Sequence, residues 1–343
     1  MTDTAVMETA PSGRALNVVL SPESEAHRQV RRQHTPARPQ AAGAKPSRHL
    51  APGFQPQPSW NLTNFGGPTI SSLTFVNRYV GGTAAWSTSD MTNIDNALSA
   101  ALSDSGLESV MAQYFPGATI SSTMLPSAVH DGGAPGTVFK DTAEALAQQL
   151  HSQGALGPAD PAKTVICMML PQGVVLSDNF SPGFTPPAGA SAAEGFKRRK
   201  RGVIKVEAGD AADSKNGLGG YHGSVHLADG TEIFYAVGVY SEGGNGIDAF
   251  GVPWKNVVAT FYHELCEART DAAVEDVNST GNNGLLGWYS QTGQGEVGDL
   301  PINACNGDLS LVFKEVQLAS GSASVPIQLM WSNADAGPAA STG

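Results

Sequence analysis

The tightest constraint on the fold is a run of seven residues, Thr164-Val165-Ile166-Cys167-Met168-Met169-Leu170, with no charge and no polar–apolar alternation. A strand with one wet face alternates, whereas an unbroken apolar strand is covered on both faces, as in the middle of a parallel sheet. The neighbouring segments supply partners for it. Residues 72–80 (SLTFVNRYV) are rich in β-formers and end at Gly81-Gly82. Residues 91–102 place Ile94, Leu98 and Leu102 on one side of a helix, with Ser89 or Asp90 as its N-cap. A strand is expected at 119–124 and a helix at 141–150. This alternation predicts an α/β fold, a mixed and partly parallel sheet with flanking helices. Further strands are expected at 232–240 (EIFYAVGVY), 309–318 and 325–331, the last two completing a sheet.

Residues 1–60 mix Arg, Pro, Gln and Ala without hydrophobic period and read as a disordered tail, a linker or a pro-segment. A single domain is expected over 61–335, with a loop insert at about 182–213 and a flexible C-terminus at 336–343. The insert carries five consecutive basic residues, Lys197 to Arg201, read as a solvated loop ahead of a processing site or an anion patch.

The formal net charge of −11 argues against a nucleic-acid partner. No stretch reaches the roughly 20 apolar residues that span a bilayer, and no standard signal peptide is visible at the start. Cys167, Cys266 and Cys305 show no zinc-type spacing and are expected as buried free thiols. Oligomeric state is not legible.

The chemistry concentrates in residues 255–272, KNVVATFYHELCEARTDA. With His263 at zero, Glu267 falls near ~40°, Asp271 near ~80° and Glu264 near ~100° on a helix turning about 100° per residue. Val257, Val258, Phe261, Tyr262, Leu265 and Ala268 occupy the opposite arc. Three carboxylates on one face repel one another unless a cation joins them. His263 and Glu267, one turn apart, can reach one ion, as the paired histidines of HExxH zinc proteases do, and Glu264 takes the general-base position of that zincin-like motif. An exposed acidic face with an incidental histidine is the plainer reading of the helix by itself. Downstream, the Gly-rich loop Gly295-Glu296-Val297-Gly298-Asp299 offers Glu296 or Asp299 as a third ligand. Upstream, His222 and His226 point the same way from an extended segment. The glycine-flanked His222 is the better candidate, as a ligand, as a hydrogen-bond donor to a transition state, or as a structural histidine.

The segments Gly220-Tyr221-His222, His263-Glu264-Leu265-Cys266-Glu267-Ala268-Arg269-Thr270-Asp271, Gly287-Trp288-Tyr289 and Glu296-Val297-Gly298-Asp299 together resemble the phosphate-induced protein 1, or exordium-like, family of plants, which has bacterial and fungal relatives. The resemblance implies an α/β domain, usually extracellular and growth- or surface-related, with a metal site and a poorly defined activity. This chain departs from the family pattern at Ala272, where relatives tend to have Pro, and at Leu300, where they tend to have Cys.

Zinc is the expected metal, with calcium the alternative because the candidate ligand set is rich in oxygen. A second imidazole from His222, or a single directly bound carboxylate, would suit zinc best. The expected activity is hydrolysis of a peptide or other small carbonyl substrate, with Glu264 as general base. The alternative is a non-catalytic module pinned by a structural calcium or zinc.

Overall fold

Six strands form one sheet in the computed structural model, which describes residues 18–20, 49–132, 136–184, 213–280, 282–290, 292, 295–321 and 323–341. They are β1 (Val18–Leu20), β2 (Ser72–Val80), β3 (Ser121–His130), β4 (Thr164–Leu170), β5 (Leu218–His226) and β6 (Glu232–Val239). Their spatial order is β1-β5-β6-β4-β2-β3. Strands β3, β2, β4 and β6 run parallel, β5 is antiparallel to β6, and β1 pairs antiparallel with the outer edge of β5. The sheet is therefore mixed and mostly parallel, and helices flank it. The basic run 197–201 and most of the expected insert lie outside the described residues.

The apolar run of β4 is explained by two cores. Val165, Cys167 and Met169 belong to the core on one face, and Ile166, Met168 and Leu170 to the core on the other. Helix α1 (Thr88–Leu102), helix α2 (Ser105–Ala112) and the long helix α4 (Pro253–Thr270) cover the first face, while α3 (Lys140–Ser152) covers the second. Each fully buried Val, Ile or Met contributes roughly 1.5–3 kcal/mol before entropy is counted. All three cysteines are buried thiols.

Several boundaries differ from expectation for local reasons. The N-cap of α1 is Ser87, whose side chain accepts from the Asp90 N–H. Residues 49–60 do not trail from the domain, since Ala51, Phe54 and Trp60 are buried and Trp60 stacks on Trp331. At the other end, Gly337–Ala339 pairs with Met330–Ser332. Strands β7 (Phe313–Gln317) and β8 (Ser324–Gln328) do not join the main sheet but form a hairpin of their own, packed against α4. Two more helices, α5 (Val274–Thr280) and α6 (Asp299–Ala304), follow α4.

Candidate metal centre

Helix α4 starts where Pro253 enters its first turn, and Asn256 ties down the preceding chain by accepting from the Ala249 and Phe250 N–H groups. From Asn256 to Thr270 every residue is buried. The expected division into a packed face and a polar face is therefore incomplete, because the polar face is buried as well. Strand β5 covers it from the sheet, the loop 295–299 and α6 from the C-terminal side, and the β7–β8 hairpin from a third direction.

His263, Glu267 and Asp299 bring ligand-type atoms within 4.8 Å of one another, and so do His222, Glu267 and Glu296. Glu267 is common to both groups. Its Oε2 has His263 Nε2 at 3.1 Å and His222 Nδ1 at 3.7 Å, while its Oε1 accepts the Gly298 and Asp299 N–H groups at 3.1 and 3.0 Å. His222 Nε2 lies 3.7 Å from Glu296 Oε1, and its Nδ1 lies 3.3 Å from Glu264 Oε2. Among the described residues the two imidazoles fall into separate groups, so a set of two histidines on one ion is not assembled. Glu264 and Asp271 belong to neither group. Asp271 accepts the Gly287 N–H at 2.9 Å, and its other oxygen has no hydrogen-bond partner among the described residues. His226 points to the surface, 2.9 Å from Asp276 of α5.

The imidazoles are oriented from behind. His263 Nδ1 lies 2.9 Å from Gln328 Oε1, and Gln328 Nε2 donates to the Gly298 carbonyl at 2.6 Å. An amide oxygen only accepts, so Nδ1 carries the proton and the Nε2 lone pair faces Glu267. By the same logic the Asp271 carbonyl, 3.3 Å from His222 Nε2, leaves the His222 Nδ1 lone pair toward Glu264 and Glu267. Gly298 is required by contact, since a Cβ there would overlap the His263 ring.

Burial controls the charges. Loss of solvent is the main cause that pushes the carboxyls of Glu264, Glu267, Glu296 and Asp299 well above the usual range, and neighbouring carboxylates add to the rise at Glu264, Glu296 and Asp299. Asp271 is pushed up to about 8, again chiefly by burial. At Glu264 the backbone N–H groups of Val19 and His222 oppose the rise. Both imidazoles are lowered to about 4 by burial and are neutral at pH 7. His263 Nε2, Glu264 Oε1, Glu267 Oε2, Asp271 Oδ2 and both Glu296 oxygens are buried with no hydrogen-bond partner among the described residues.

Two participants were not singled out from the sequence. Gln328 is the polar residue inside the apolar stretch Val325-Pro326-Ile327-Gln328-Leu329-Met330-Trp331, and that was the available signal. Val19, from the expected tail, is fully buried beside the centre, and its apolar neighbours Val18 and Leu20 gave no more than a short apolar patch. No family model, curated protein or solved structure matches the chain.

Proposed function

We propose that the chain is a metal-dependent hydrolase acting on peptides, with a divalent cation held at Glu267. The observation that carries this reading is the set of six buried ligand-type atoms without hydrogen-bond partners, contributed by His263, Glu264, Glu267, Asp271 and Glu296. An orphaned buried polar atom costs about 1–3 kcal/mol, and more when charged. A cation answers that cost for several of them at once. The spacing fits as well. Ligand atoms on a tetrahedral zinc at roughly 2.0–2.1 Å sit about 3.3 Å apart, and His263 Nε2 to Glu267 Oε2 is 3.1 Å. Glu267 would hold the ion, with His263 and Asp299 in one group or with His222 and Glu296 in the other. An imidazole lone pair aimed at the site favours zinc over calcium, whose ligands are oxygens.

When bound, such an ion polarises a carbonyl and makes water a better nucleophile. Glu264 follows the first ligand on the same helix and carries the proton-transfer role. Its carboxyl lies against His222 Nδ1, and burial has raised its proton affinity above that of an exposed carboxylate, the direction that strengthens a base. Glu264→Gln is expected to keep the metal and lose turnover by about 10²-fold or more. Wild-type turnover in that variant would refute the mechanism.

A second reading has its own support. His222, His263, Glu264, Glu267 and Glu296 are each 0% exposed, which suits a structural ion pinning α4 to the 295–299 loop. In that case chelation lowers Tm and no metal-dependent cleavage of a peptide library is found.

A further inference from the structure

We infer that β1 occupies an extended-peptide cleft between the outer edge of β5 and helices α4 and α6, and that it keeps the centre closed as an internal plug. Val18 pairs with Tyr221, Val19 with Gly220 and Leu20 with Leu218, all antiparallel, and the pairing stops one residue short of His222. The strand also packs against α4 and α6, the two helices that carry His263, Glu267 and Asp299. Val19 is 0% exposed and belongs to the main core. Its backbone N–H faces the Glu264 carboxylate. The edge of β5 therefore accepts an added strand, the cleft accepts an apolar branched side chain, and Glu264 meets the backbone of whatever lies there.

These are the features of β-strand addition, in which main-chain hydrogen bonds supply affinity and alternate side chains supply selectivity. The ligand class that fits is an extended peptide with a branched apolar residue at the Val19 position, since a charge there would be buried in the main core. Displacing β1 exposes the β5 edge and, with it, His222 and Glu264. That the displaced strand makes room for a substrate rests on the hydrolase reading. That the edge binds an extended peptide does not.

The test uses the full chain with Val19→Asp, which puts a carboxylate into the main core and expels the strand. Val19→Ala is the milder companion, whose fold is not at risk from a buried charge. The probe is a fluorescein-labelled synthetic peptide of residues 15–23, ALNVVLSPE, followed by anisotropy, with a scrambled peptide as control. An edge filled by its own strand lowers apparent affinity by the fraction that is open. Binding to Val19→Asp is expected to be at least about tenfold tighter than to the unmodified chain, with Val19→Ala between them and no binding of the scrambled peptide. Equal binding to all three proteins, or equal binding of the scrambled peptide, overturns the inference. Zinc content measured on the same samples separates this from the functional reading. Peptide binding without zinc keeps the cleft and removes the hydrolase, whereas zinc without peptide binding removes the cleft and leaves the metal centre standing.

Discussion

Metal binding at Glu267 should expel protons, and their number follows from the ligands. Each of the two groups contains one imidazole and two carboxyls, His263–Glu267–Asp299 or His222–Glu267–Glu296. In the metal-free chain the three carboxyls concerned are held well above their ordinary range by burial, which favours their protonated form. The imidazoles, lowered to about 4, carry none to lose. A cation takes the carboxylate form, so zinc should release protons, up to two per ion, and its affinity should rise with pH, by at most roughly 100-fold per unit, until the carboxyls ionise unaided. Calorimetric titration in two buffers of different ionisation enthalpy measures the proton count directly. Glu267→Gln removes one of the two, whereas His263→Ala weakens binding and leaves the count unchanged. The linkage also sets the sign for stability. Without metal these acids bind protons more tightly folded than unfolded, so their contribution is full below about pH 4. It is lost as pH rises through the folded values, about 8 for Asp271. Saturating zinc should flatten or reverse that decline in Tm. Zinc affinity independent of pH between 5.5 and 7.5, with no proton released, would refute the assignment of ligands.

Other substitutions test the supporting structure. Gln328→Ala frees the His263 ring to reorient and should weaken zinc binding by about 10- to 100-fold with the fold intact, measured by competition with a chromophoric chelator. Gly298→Ala drives a methyl into the His263 ring and should cost about 1–3 kcal/mol in urea unfolding while also lowering zinc affinity. Arg269 is buried and donates to the carbonyls of Ile70, Ser71 and Ser121. Arg269→Met removes those hydrogen bonds and should cost about 3 kcal/mol by the same unfolding assay, with zinc stoichiometry unchanged.

Much of the scaffold was legible because its signals are local. Residues 164–170 and 72–80 form strands with the expected limits, since an unbroken apolar run and a β-rich run closed by two glycines each have one reading. The helix carrying His263 and Glu267 was clear from its spacing, although it begins two residues earlier, at Pro253. The expected strands 309–318 and 325–331 are shorter, at 313–317 and 324–328, and Pro326 lacks an N–H and suits a hairpin edge better than a sheet interior. Helices α2, α5 and α6 are short and draw their stability from packing, which leaves a weak trace in sequence. The anchors Phe54 and Trp60 act singly, without a period to reveal them. At the centre, His263 and Glu267 of the helix and the acidic pair Glu296 and Asp299 could be named as candidate ligands from spacing. Their division into two groups around Glu267 could not, because it depends on where β5 places His222.

The pairing of Val18 with Tyr221 joins parts of the chain that are synthesised roughly 200 residues apart. At 5–20 residues per second, β1 leaves the ribosome about 10–40 s before its partner strand exists. For that interval Val18-Val19-Leu20 is a short apolar strand with nowhere to pair, open to chaperones and to neighbouring nascent chains. The first element of the sheet to be made is thus among the last to find its place.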